Sequence, residues 1–105
     1  MKLSELNNEP RYVNYGSLNV DVNNLIVQFN GRDIRISEVD LSFIRALSSG
    51  EQMTSSQIVN KLASLAGVEY SINSIPAQIW KINDRFKPDK IILSKNGKSG
   101  WFRLV

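Results

Sequence analysis

The chain has 105 residues, 42% of them hydrophobic and 22% charged, with a formal net charge of +3; that length suits one domain with a modest core. It contains neither cysteine nor histidine, which excludes disulfides, Cys- or His-ligated zinc, Ser-His-Asp and Cys-His catalysis, and a histidine general base. No apolar run approaches the roughly 20 residues of a membrane span, and Met1 to Pro10 lacks the apolar core of a signal peptide, so a soluble, cytoplasmic protein without membrane contact is expected.

Residues 1–12 show no periodicity and hold Asn7, Asn8 and Pro10, the pattern of an irregular arm before a single domain over 13–105. Leu18, Val20 and Val22 alternate with Asn19, Asp21 and Asn23, which is the period of a half-buried strand. Asn23-Asn24 favours a turn, and Leu25 to Phe29 a second strand. Asn30-Gly31 favours a tight hairpin turn with positive φ. Arg32 to Ile36 alternates again, with Ile34 and Ile36 on one face. Three short strands in a meander need a partner layer to pack on.

The period changes at Ser37, an N-cap residue, with Glu38 and Asp40 in the first turn where the helix dipole favours them. Leu41, Ile44 and Leu47, supported by Val39 and Phe43, predict a helix that Ser48-Ser49-Gly50 ends. Thr54 with Gln57 three residues on predicts a capping box. Ile58, Leu62, Leu65 and Ala66 make the apolar stripe of this second helix, and 67–72 is a connector. Asn73 or Ser74 can cap a third helix over 73–87, and Pro76 suits its first turn. Ile75, Ile79, Ile82 and Phe86 form its apolar stripe, and Pro88 stops it. Ile91 to Leu93 is a strand, Lys95 to Gly100 a turn, and Trp101 to Val105 a closing strand. The fold class expected is α+β, with a small N-terminal antiparallel sheet, three helices and a C-terminal β-hairpin.

Charge is unevenly placed along these elements. Residues 73–105 carry seven basic side chains against Asp84 and Asp89, whereas residues 1–72 carry six basic against eight acidic ones. A basic pole is the electrostatic footprint of a polyanion binder, though charge runs also serve solvation. Opposite its apolar stripe the third helix carries Asn73, Ala77, Trp80, Lys81 and Asp84, with Gln78 and Arg85 on a flank. Amides suit adenine edges, Lys and Arg suit guanine or phosphate, and Ala77 suits a thymine methyl. Lys95, Asn96 and Lys98 at the hairpin tip suit an adjacent phosphate or a narrow minor groove. The same residues have plainer uses. Trp80 can pack under the 67–72 connector, and Lys95 and Lys98 can keep a hairpin edge unpaired. Asp84, in the middle of the face, opposes phosphate.

This layout resembles the DNA-binding domain of OmpR/PhoB-type winged-helix regulators over about residues 15–105. Tyr15 to Asp21 resembles that family's opening strand, and Asn30 to Ser37 is similar to its "NG-x-x-I-x-L-T" lead into the first helix. Asp40 stands where the family usually has a glutamate. Thr54 to Leu62 looks like its second helix. Ile75, Gln78, Ile79, Lys81, Ile82 and Phe86 fall on its "V-D-V-H-I-x-R-L-R-x-x-L" recognition helix, and Gly100-Trp101 resembles the Gly-Tyr of its wing. Pro76 replaces an aspartate, and Trp80, Asn83 and Asp84 stand where the family tends to be basic. No receiver domain of that family is expected within these 105 residues, and the chain resembles a free-standing regulator or the cytoplasmic head of a larger ToxR-like protein.

Sequence-specific binding of double-stranded DNA in transcription regulation is therefore expected. Asn73, Ala77, Gln78 and Lys81 face bases, with Trp80 as a further DNA-binding residue on the same helix face and Ser74 and Arg85 on phosphates. Lys95, Asn96 and Lys98 lie on the neighbouring backbone or minor groove. The resemblance implies two copies head-to-tail on direct repeats, and RNA polymerase or another regulator is a further candidate partner. The alternative is a protein-interaction module on the same scaffold, anchored by Trp80 and Ala77. No enzyme is expected and no cofactor or metal: no spacing assembles the carboxylates and lysines, and Gly97 and Gly100 do not open a helix as a phosphate loop requires.

Overall fold

In the computed structural model, which describes residues 8–95 and 100–105, four antiparallel strands come first, in sequential order. They are β1 (Tyr12–Tyr15), β2 (Leu18–Asp21), β3 (Ile26–Phe29) and β4 (Arg32–Arg35). Helices α1 (Glu38–Ala46), α2 (Ser55–Ala66) and α3 (Ile75–Arg85) follow, with a 3-10 turn at Ile72–Ser74 leading into α3. Strands β5 (Ile92–Lys95) and β6 (Trp101–Leu104) pair as a C-terminal hairpin. This is an α+β winged-helix arrangement.

The expected meander of three strands is present as β2 to β4, with β1 added on its edge. Tyr12 already pairs with Asp21, so the irregular lead-in stops one residue before position 12; residues 1–7 lie outside the described residues. The period-2 signal of β1 is weak because only Val13 and Tyr15 are half-buried, between exposed Tyr12 and Asn14. Leu18, Val20 and Val27 face the helices and are fully buried. At the β3–β4 turn, Asn30 and Gly31 both have positive φ, 50° and 75°, the conformation that a twisted two-residue hairpin needs.

Asp21 organises the turn between β2 and β3. Its buried carboxylate accepts from the backbone N–H groups of Arg11, Asn23 and Asn24 at 3.1–3.2 Å, and from the Asn24 amide at 2.9 Å. This holds a turn that ends with Leu25 at φ 57°, a conformation branched side chains rarely adopt. Burial opposes ionisation of Asp21, but the Asn24 amide and the three N–H donors outweigh it and keep the carboxyl below its ordinary value.

Two of the three expected helix caps are realised. Ser37 and Asp40 close a reciprocal capping box on α1, as Thr54 and Gln57 do on α2. The core joins the sheet to the helices through Phe43, Ile44, Leu47, Ile58, Leu62 and the α3 stripe of Ile75, Ile79, Ile82 and Phe86. Three expected core positions differ. Leu65 is 53% exposed, Ala66 is exposed, and Val39 sits on the wet side of α1. The buried stripe of α2 thus ends at Leu62. The α1–α2 loop contributes an unexpected bridge, in which Met53 and Phe102 exchange both backbone hydrogen bonds at 2.8 Å. The hairpin is thereby tied to the helical layer.

Gly16 is in a tight backbone position. It has φ 57°, and a Cβ there would overlap the Val105 carbonyl oxygen, which accepts from the Ser17 N–H at 2.9 Å. Gly31 has φ 75° with nothing near a Cβ. Gly31→Ala should therefore lower stability by about 1–2 kcal/mol, from the left-handed conformation alone. Gly16→Ala should lower it by more, because it adds a steric clash with backbone; urea midpoints at unchanged m-value measure both. For Asp21, whose folded pKa lies below the unfolded one, the stabilisation is present above the unfolded value of about 3.9 and is lost as pH falls through the folded value. The stability deficit of Asp21→Asn should be constant from pH 5 to 7 and shrink below pH 4. A deficit independent of pH would contradict this.

Candidate functional site

The third helix is held on its inner face and at both flanks. Its isoleucines are buried in the core. Asn83, on one flank, accepts from the N–H groups of Ile91 and Ile92, each at 3.0 Å, and donates to the Ile92 carbonyl at 2.9 Å. That one amide replaces ladder partners for the residues that start β5 and fixes the hairpin against α3. On the other flank the Arg85 Nε lies 2.6 Å from Asp40 Oδ2, with the Asp40 side chain only 6% exposed. Asp40 Oδ2 also accepts the Ser37 N–H at 2.9 Å, so the group that caps α1 also anchors α3.

The C-terminal end of α3 is closed by β4. The Arg32 guanidinium donates to the Phe86 carbonyl at 2.6 Å and the Lys87 carbonyl at 2.9 Å, and pairs with Asp89 at 3.1 Å. A cation on the final carbonyls satisfies orphan acceptors and complements the helix dipole. The Phe29 ring meets Phe86 edge-on beneath it, with centroids 6.4 Å apart. At the other end the expected side-chain cap is absent. Ser74 is the N-cap but stays in helical backbone conformation, and its hydroxyl donates to the Ser71 carbonyl at 2.8 Å. The 3-10 turn supplies what Asn73 or Ser74 was expected to supply, and regular helix covers 75–85 rather than 73–87.

With these anchors in place, the outer face of α3 carries no structural duty. Trp80 is 66% exposed and does not pack under the 67–72 connector. Asn73, Ala77 and Lys81 are exposed and Gln78 is half-buried. Lys81 has no ion-pair partner among the described residues. Asp84 faces the same side, but Lys87 Nζ lies 2.6 Å from its Oδ1 and offsets its charge. Two expected phosphate ligands also have internal partners: Arg85, still exposed, is ion-paired to Asp40 through Nε, and the Ser74 hydroxyl bonds to backbone. On the hairpin, Lys95 is exposed at the end of β5, and the Arg103 guanidinium lies 5.8 Å from the Trp101 ring centre. Asn96 and Lys98 lie outside the described residues.

Between α3 and the hairpin runs a groove of about 320 Å³, with Pro76, Ile79, Trp80, Pro88 and Phe102 as its apolar lining residues and Asn83, Lys90 and Ser94 among its polar ones. Lys90 and Ser94 escaped the sequence reading because their distance from α3 in sequence hides their proximity to Trp80. Arg32 and Asn83 gave no signal of their clamping roles, since arginine in a strand and asparagine in a helix ordinarily face water.

Among the described residues no group of three or more His, Cys, Asp or Glu side chains could hold a metal ion, and no helix is long and apolar enough to cross a membrane. No protein-family model matches the chain, and a search of curated proteins finds no relative. The arrangement is a winged-helix scaffold whose free helix face and flanking hairpin suit the docking of a macromolecule.

Asn83→Ala removes the partners of three backbone groups at buried Ile91 and Ile92, and should destabilise the domain by about 2–3 kcal/mol. Amide exchange should accelerate first at Ile91 and Ile92. Unchanged protection there would show that the hairpin does not depend on this clamp.

Proposed function

We propose that the domain binds double-stranded DNA in a sequence-specific manner and acts in transcription regulation, in the way of the OmpR/PhoB-type domains it resembles. Helix α3 lies in the major groove, and the hairpin rests on the adjacent backbone or minor groove. The observation that carries this reading is the division of labour on α3: every anchoring contact uses its inner face, flanks or C-terminal end, and Trp80, Ala77 and Lys81 are left to solvent. A helix with one face so released, beside a cationic hairpin, has the shape and charge for a duplex groove. Ala77 and Lys81 lie at the centre of the base-facing strip, with Asn73 and Gln78 at its margins. Lys95, exposed at the end of β5, supplies a cation on the hairpin, and Asn96 and Lys98, which lie outside the described residues, are the further hairpin contacts proposed. The partner is duplex DNA, with a second copy on a repeated half-site and RNA polymerase or another regulator as further partners. No catalytic step is assigned.

Trp80 also suits a partner protein's pocket, since large exposed aromatics anchor interfaces. Salt separates the two readings. A duplex binder loses affinity steeply as salt rises, through counterion release. With the best duplex selected from a random pool, Lys81→Ala should weaken binding by about 1–3 kcal/mol and relax preference at one position. Lys95→Ala should weaken all duplexes alike and lower the salt slope by about one unit. A wild-type domain without duplex affinity at low salt belongs to the protein-interaction class, with Trp80 and Ala77 as its anchor.

A further inference from the structure

The groove between α3 and the hairpin is lined from both elements, and besides the Asn83 clamp its lining includes exposed Trp80, Lys90 and Ser94. We infer that it seats one sugar–phosphate strand of the bound duplex, with Trp80 packed on deoxyribose and Lys90 and Ser94 on the phosphate beside it. This rests on the proposed duplex binding and names contacts that the base-facing strip does not include.

The geometry follows from the shape of DNA. The major groove is about 12 Å wide and the minor groove about 6 Å, and a single backbone strand separates neighbouring grooves. If α3 occupies one groove and the hairpin reaches the next, that strand must run between them, along the groove lined by Trp80, Phe102 and Ser94. The lining combines apolar and polar groups, as a sugar–phosphate strand does. Trp80, exposed, and Pro76, half-buried, present carbon surface over the buried Ile79 and Phe102, suited to the C–H faces of deoxyribose. Lys90 is exposed and has no ion-pair partner among the described residues, and the exposed Ser94 carries a hydroxyl; both donate to phosphate oxygens. The two carboxylates in the lining are already offset, Asp84 by Lys87 at 2.6 Å and Asp89 by Arg32 at 3.1 Å. Indole on sugar carries no base identity, which accounts for a bulky apolar residue at a position where a donor would read sequence.

The test uses the full chain and a selected duplex in which single phosphates are replaced, one at a time, by uncharged methylphosphonate. Trp80→Ala should weaken every duplex at least tenfold and leave the base preference of the selected site intact. Its exposed position predicts an unchanged circular dichroism spectrum, and Trp80→Phe should recover most of the affinity. In wild type, one methylphosphonate should weaken binding severalfold; in Lys90→Ala that same replacement should be silent. A changed preference at one base pair in Trp80→Ala would place the indole against a base and overturn the inference, while leaving duplex binding intact. So would a Lys90→Ala variant that stays sensitive to every replacement. Absence of wild-type duplex affinity at low salt would overturn both the inference and the reading beneath it.

Discussion

The ion pair between Asp40 and Arg85, 2.6 Å across the α1–α3 contact, is the constraint on which the orientation of α3 depends. An amphipathic helix packed by an isoleucine stripe alone can roll about its axis, because apolar contacts are non-directional. A guanidinium held by a carboxylate that is itself fixed by the Ser37 N–H removes that freedom. Asn83 fixes the opposite flank through directional hydrogen bonds to Ile91 and Ile92. Arg32 fixes the C-terminal end. The outer face then points in one direction relative to the hairpin, which a groove-binding helix requires.

These anchors also explain why a basic last third need not translate into a uniformly basic surface. Of the cations in residues 73–105, Arg85 and Lys87 are engaged with carboxylates, and Arg103 lies by the Trp101 ring. Lys81, Lys90 and Lys95 are exposed without such partners among the described residues. They lie on α3, after it and on β5. The N-terminal sheet contributes at a distance, since Arg32 neutralises Asp89 beside the groove while closing the helix end. The sheet is thus part of the interface's construction without facing it.

Local rules made much of the fold legible. The Ser37 and Thr54 caps, the Asn30-Gly31 turn and the Ile75 to Phe86 stripe each depend on residues within four positions or on a single periodicity, and each is found where the sequence places it. Where the pattern was weak or the partner distant, the reading ran short. Strand β1 is half-exposed and so lacks a strong alternation. Leu65 matches the helical stripe of α2 but is exposed. The start of α3 is a 3-10 turn because Ser74 bonds to Ser71 rather than to the helix N-terminus.

By itself, then, the sequence determined the order of strands, helices and hairpin, and which residues of α3 lie on its polar side, because these follow from side-chain period and turn chemistry. Only the tertiary structure decided which polar side chains are free. Arg85 and Ser74 look identical in sequence to ligands of a phosphate, but Arg85 lies opposite Asp40, 45 residues away in the chain. Trp80, Lys90 and Ser94 converge on one groove for the same reason. Electrostatic pairing and cavity lining depend on separation in space, and spacing along the chain does not encode that.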